Sequence, residues 1–301
     1  MDMWKQGIER WKSGHVLFRL VAVNVAVFFV LTTLRLAVLL GWSGGEAWKD
    51  SVFGLATSWR LEVLMARPWS VLTHVFAHED PWHLLVNMLV LWWMGRLFMA
   101  QHGNRRLLSV FLTGGLFGWL VYVGALNTFP GLRGATWALG ASGAVMAVLA
   151  AAATTEPDRQ VNLMFFGAVS LKYVAVGYVV LDYIMLSSGD NTGGHLAHLG
   201  GALFGFMWAR GLMQGRNLTR WMEALLDVLA TGRPPRRMRV VKPKSRKPDT
   251  RTSRVKTDEQ FNAEKQADAQ RLDRILDKIS RHGYDRLTDD EKAFLFRQSN
   301  R

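Results

Sequence analysis

Cysteine is absent from the 301 residues. That absence removes disulfides, thiolate metal sites and a cysteine nucleophile together. Acids are scarce where they would matter for chemistry inside a membrane. Asp182 is the only one within any long apolar run, and an aspartyl dyad needs two carboxylates sharing a proton. As the lone acid of its run, Asp182 reads as a helix contact near the outer end. The zinc-hydrolase pattern H-E-x-x-H is missing as well: His78-Glu79-Asp80-Pro81-Trp82-His83 holds its histidines five apart across a proline, whereas two ligands on one helix face need i and i+4 spacing. Nor is there a repeated half with broken hydrophobic segments, as a transporter or ion pathway would have.

What is present is apolar and blocked into long runs. Hydrophobic residues make up 50% of the chain and gather at 16–40, 82–99, 107–126, 135–153, 161–186 and 194–212. A bilayer crossing takes about 20 residues with modest tilt, so the pattern predicts an all-α polytopic bundle of six transmembrane helices. Lys172 interrupts the fifth run, and the stretch before it could lie at the interface instead. The first run is too long for a cleavable signal and lacks an A-x-A site, so span one is expected to be retained. Lys5, Arg10, Lys12 and Arg19 flank span one, Arg96, Arg105 and Arg106 lie between spans two and three, and the tail is strongly basic. The positive-inside bias puts these on the cytoplasmic side, with both termini.

Gly193 to Gly205 reads GGHLAHLGGALFG. On a helix His198, Gly201, Ala202 and Gly205 share one face, an imidazole above a floor with almost no side chains. Such a face lets another helix approach closely. The matching surface is Gly140-Ala141-Ser142-Gly143-Ala144, on which Ser142 is the only nucleophile. Ser142 beside His198 would form a catalytic pair, since imidazole can take a serine proton near neutral pH. Hydrogen bonding or packing within the membrane is the other reading for each residue. Asp80 followed by Pro81 marks the start of span two, and His83 and Asn87 then project from one face, either as donors or as a helix tie. With the topology above, spans two, four and six run inward from the outer side. At about 1.5 Å per residue, Asn87, Ser142 and His198 fall within roughly a turn or two in depth.

The remaining organisation is an interfacial segment (1–15), the membrane domain (16–213), an interfacial amphipathic helix (214–232), a basic linker (233–256) and a small helical C-terminal segment (257–301). Arg233 to Lys256 carries one acid, Asp249, and is expected to meet anionic lipid headgroups; no recognition motif points to nucleic acid. Thr257-Asp258-Glu259-Gln260 and Thr288-Asp289-Asp290-Glu291 resemble capping boxes. Leu272, Ile275, Leu276 and Ile279 form an apolar stripe. So small a pair of helices is expected to dock on a protein partner or on another copy.

Gly140-Ala141-Ser142-Gly143, Ala197-His198-Leu199-Gly200-Gly201 and His83-Leu84-Leu85-Val86-Asn87 together resemble the rhomboid family of intramembrane serine proteases, on spans four, six and two. The resemblance implies cleavage of single-span or polytopic membrane proteins in or near a membrane segment. It makes Ser142 the nucleophile and His198 the base and then acid, with His83, Asn87 and the Ser142 N–H on the oxyanion. It implies no third triad member, no metal and no cofactor. Gly140, Gly143 and Gly201 would support the site. Met146 stands where many relatives place a tyrosine against the imidazole, so orientation of His198 falls to its thioether or to His195. Trp69-Ser70 replaces a common Trp-Arg pair, whereas Thr73-His74 fits the family. The tail is similar to an extension on some bacterial rhomboids, which suggests a bacterial inner membrane. A non-catalytic rhomboid-like protein that binds or escorts membrane clients is the alternative; proton or ion transport is a third reading.

Overall fold

A computed structural model of the chain describes residues 15–41, 54–133, 137–163, 167–188, 191–232 and 258–299. The expectations for 1–14, for the linker 233–256 and for the box opening at Thr257 lie outside these residues. The chain divides into two compact units, Met1–Arg236 and Arg237–Arg301.

The first unit is mostly helical. Its long elements are α1 (Val16–Leu39), α4 (Pro81–Thr128), α5 (Ser142–Thr155), α6 (Leu171–Met185), α7 (Thr192–Met213) and α8 (Arg220–Thr231), with short helices α2 (Leu61–Ala66) and α3 (Ser70–Thr73) before α4. Among the described residues, α1 and α4 are long and apolar enough to cross a membrane. Asp80 caps α4 by accepting from the His83 N–H at 2.7 Å, with Pro81 in the first turn. Gly103, at φ 79°, breaks the helix midway, a conformation that glycine adopts without the Cβ penalty.

α5 is the hub. Every residue from Gly143 to Ala153 is buried, so the helix is enclosed by protein along most of its length. Its 14 residues rise about 21 Å, at 1.5 Å each. A helix enclosed by protein need not match the roughly 30 Å of hydrocarbon. The contact with α7 is backbone to backbone: a Cβ on Gly201 would strike the Gly143 carbonyl, and one on Gly205 the Ala147 carbonyl. From the other side, Gly114 of α4 meets the Ala147 methyl. Leu17 of α1 fits over Gly95, where a Cβ would lie 2.8 Å from its Cδ1.

Two regions depart from the helical expectation. In the fourth apolar run, helix α5 begins at Ser142, and before it strand β2 (Trp137–Ala138) pairs antiparallel with β1 (Thr57–Ser58). The fifth run opens as a hairpin, β3 (Gln160–Leu163) against β4 (Gly167–Ser170), and helix α6 begins only at Leu171. Its valines and leucines suit either conformation, and the ladder satisfies backbone groups before the helix begins.

α8 is amphipathic, with Met222 buried and Trp221, Leu225 and Leu229 exposed. Arg105 ties it to α4 by an ion pair with Asp227, and Thr219 accepts from the Trp208 indole at 3.0 Å. The second unit pairs α9 (Asp258–His282) with α10 (Asp289–Ser299) around Ile275, Leu287 and Phe294. Thr288 and Glu291 form a reciprocal capping box, with bonds of 2.8 and 3.4 Å. The expected stripe is narrower than its spacing implied, for Leu276 is 49% exposed.

Candidate active site

The site forms where α5 begins. Gly140 and Ala141 enter the helix on a backbone held from below: the Gly140 N–H donates to the His74 carbonyl at 2.9 Å and the Ala141 N–H to His78 Nε2 at 3.3 Å. His74 is fixed in turn through Nδ1 on the Ser70 carbonyl at 3.0 Å. Burial pushes both imidazoles down to about 4, with repulsion from His83 as a second cause at His78. Near neutral pH His78 is therefore uncharged, as its role of acceptor requires. Gly140 has φ +125°, and a Cβ there would lie 2.7 Å from His83 Cε1, so glycine is needed for both conformation and space. Ser142 is thereby the first residue of a helix with no side-chain cap. The first-turn N–H groups lack intrahelical partners and carry partial positive charge, which suits them to an oxyanion.

α4 supplies the facing wall. His83 sits in its first turn and Asn87 one turn on, where the Asn87 amide donates one hydrogen to the His83 carbonyl at 2.9 Å. Its second hydrogen remains for another acceptor. The His78 and His83 rings meet edge to face with centroids 5.2 Å apart.

α7 and α6 supply the third wall. His195 and His198 lie three apart on α7, one turn along the same face. Both present Nδ1 to the same oxygen of Asp182 on α6, at 2.7 and 2.8 Å. Asp182 is buried. A carboxylate only accepts, so each Nδ1 carries a proton, and in the neutral form of the ring it is Nε2 that keeps the lone pair. Asp182 thus orients His198 through Nδ1, with the His195 ring edge-on beside it at 5.8 Å between centroids; of the two groups the sequence offered, His195 and the Met146 thioether, the ring contact is made by His195. That aspartate is more than an outer-end helix contact.

His83, Asn87, Ser142, Met146, Asp182, His195 and His198 all line one cleft of about 280 Å³. Gly140 lies against the His83 ring, and Gly143 and Gly201 meet where α5 crosses α7. No hydrogen bond joins the Ser142 hydroxyl to His198 among the described residues; such bonds commonly tighten only once substrate is bound. Asp182 was the functional group hardest to find from sequence, since it stands 16 residues before His198 on another helix. Its status as the only acid in an apolar run was the available signal.

The Rhomboid domain family model matches residues 65–215, and these contain every residue of the cleft. The chain belongs to the rhomboid family. It is a membrane protein of predominantly helical architecture, as that family is. Its relatives include presenilin-associated rhomboid-like protein A, mitochondrial, of Danio rerio, 36% identical over 133 residues that cover 43% of this chain and 34% of the relative. RHOMBOID-like protein 12, mitochondrial, of Arabidopsis thaliana is 30% identical over 227 residues, 71% of this chain and 63% of that protein. Rhomboid protease GluP of Bacillus subtilis is 23% identical over 205 residues, 68% and 38%. The match to the Danio rerio rhomboid spans about a third of that protein's length. Residues 256–301 match a family of unknown function, DUF6576.

Proposed function

We propose that this rhomboid is an intramembrane serine endopeptidase that cleaves membrane-protein substrates in or near a transmembrane segment. One observation carries the reading: Ser142 shares a cleft with an imidazole whose Nδ1 is already committed to a carboxylate. In this reading the Ser142 hydroxyl attacks the scissile carbonyl and passes its proton to His198 Nε2. The oxyanion is met by the Ser142 N–H, the second amide hydrogen of Asn87 and His83. His198 then protonates the leaving amine, and water hydrolyses the acyl-enzyme by the same path. Asp182 holds the tautomer that makes Nε2 the base. The printed name of the Bacillus subtilis relative, a rhomboid protease, supports the same chemistry.

The accompanying topology is six crossings: α1, the two halves of α4 on either side of Gly103, α5, α6 and α7, with both termini on the cytoplasmic side of a bacterial inner membrane. The basic clusters named above support that orientation. Arg233 to Lys256 would hold anionic headgroups, and 257–301 would bind a protein partner or another copy. Neither a metal nor a cofactor is needed for the chemistry.

The test is co-expression with a single-span protein whose membrane helix is destabilised, followed by mass measurement of any product. The expected result is one defined cleavage near the membrane segment, absent with Ser142→Ala and with His198→Ala. A substrate that co-purifies uncut with the wild-type chain would instead favour a binding or escort protein.

A further inference from the structure

Orienting one catalytic imidazole takes one carboxylate. Here the carboxylate carries two, because His195 Nδ1 approaches the same Asp182 oxygen as His198 Nδ1, at 2.7 and 2.8 Å. The rings lie nearly perpendicular, at 86° with centroids 5.8 Å apart. Ligating atoms of all three residues lie within 4.8 Å of one another. We propose that Asp182, His195 and His198 form an inhibitory site for a divalent transition ion of the Zn2+ class.

Two imidazoles and a carboxylate are a zinc ligand set that leaves a fourth position for water, and all three residues line the cleft. Bonds of about 2.0–2.1 Å place tetrahedral ligands roughly 3.3 Å apart, so each Nδ1 to oxygen separation need open by only about half an ångström. Nitrogen donors select against Mg2+ and Ca2+. The side chains are 9–19% exposed, reachable from the cleft yet shielded enough to strengthen the attraction between carboxylate and cation.

The protons balance without loss to solvent. Each neutral imidazole donates to Asp182 through Nδ1–H; when the ion takes the Nδ1 lone pair, the proton resides on Nε2. For His198 the consequence is specific. Nε2 then bears a hydrogen and has no lone pair to accept the Ser142 proton, so an occupied site is an inactive one. Asp182 alone cannot do this to His198; His195 makes the set three-coordinate. The inhibitory half rests on the hydrolase reading above, whereas binding does not.

The experiment uses the full-length, untagged chain in detergent, stripped with EDTA and titrated with Co2+. The expected result is visible d–d absorption saturating at one equivalent and removed by one equivalent of Zn2+. His195→Ala and Asp182→Ala should each weaken the apparent Co2+ affinity at least about tenfold, the scale on which lost ligand support is felt. Circular dichroism on both variants reports whether they fold, and the wild-type stoichiometry stands as a result even if they do not. Absence of saturable absorption at one equivalent, or a titration unchanged by His195→Ala in a folded variant, overturns the site. Saturating Zn2+ should also lower fluorophosphonate labelling of Ser142 at least about tenfold, with recovery in EDTA. Undiminished labelling with the metal bound overturns the inhibitory half. Cobalt binding by a chain that never labels upholds the site and tells against the hydrolase.

Discussion

α5 and α6 are neighbours of similar length that hold the site by opposite means. α5 is buried from Gly143 to Ala153 and is positioned by contact of bare backbone with α7. α6 buries only Leu171 and Asp182, while Val176, Leu181, Tyr183 and Ile184 stand exposed. Packing therefore positions Ser142, and a single carboxylate positions His198. A fault in the first should cost stability, and a fault in the second should cost rate.

The largest effect expected is that of Gly201→Leu. Its Cβ would enter the Gly143 carbonyl, and backbone cannot yield as a side chain end can. Overpacking costs about 1–3 kcal/mol where side chains can shift, occasionally more, so a loss at or above that range is expected in thermal unfolding, with labelling lost in step. Asp182→Asn should invert the pattern. The carboxamide can still accept from Nδ1–H but offers no charge for the developing imidazolium, and turnover should fall about a hundredfold, within what a positioned base contributes. Its unfolding midpoint should move far less than that of Gly201→Leu. Equal losses of stability in the two variants would erase the distinction.

A smaller effect concerns pH. His74 and His78 fall from the ordinary 6.5 to about 4 in the folded protein, so between those values the unfolded chain binds more protons. Stability contributed by the neutral rings is complete above about 6.5 and is lost as pH falls toward 4. His78→Gln should flatten part of that slope in a thermal melt taken across the window. The smallest effect expected is that of Glu291→Gln in the second unit. There Lys278 and the Thr288 backbone hold the Glu291 carboxylate down at about 2. The exchange should fray α10 slightly by circular dichroism and leave Ser142 labelling unchanged.

Small-residue spacing made the seam between α5 and α7 legible in the sequence, because glycine every fourth residue on a helix has few structural uses other than close approach. Asp80-Pro81 marked the start of α4 by cap chemistry alone. The hairpin at Gln160–Ser170 was not legible: its residues continue the apolar run, and periodicity cannot separate a short strand from a buried helix segment. Nor was the short reach of α5, 14 residues, since its enclosure by other helices is a property of the fold and not of the local sequence. Asp182 was visible as an anomaly, but its partners depend on how α6 is rotated against α7, which local sequence does not encode. The two-histidine arrangement was hidden for the same reason.

The central claim is that Ser142 is activated by His198 within one cleft. It is tested most directly by treating the purified chain in detergent with a serine-directed fluorophosphonate and locating the adduct by peptide mass. The prediction is a single adduct on Ser142, abolished by His198→Ala and slowed by Asp182→Asn. An unlabelled wild type, or an adduct that forms as fast in His198→Ala, would contradict it.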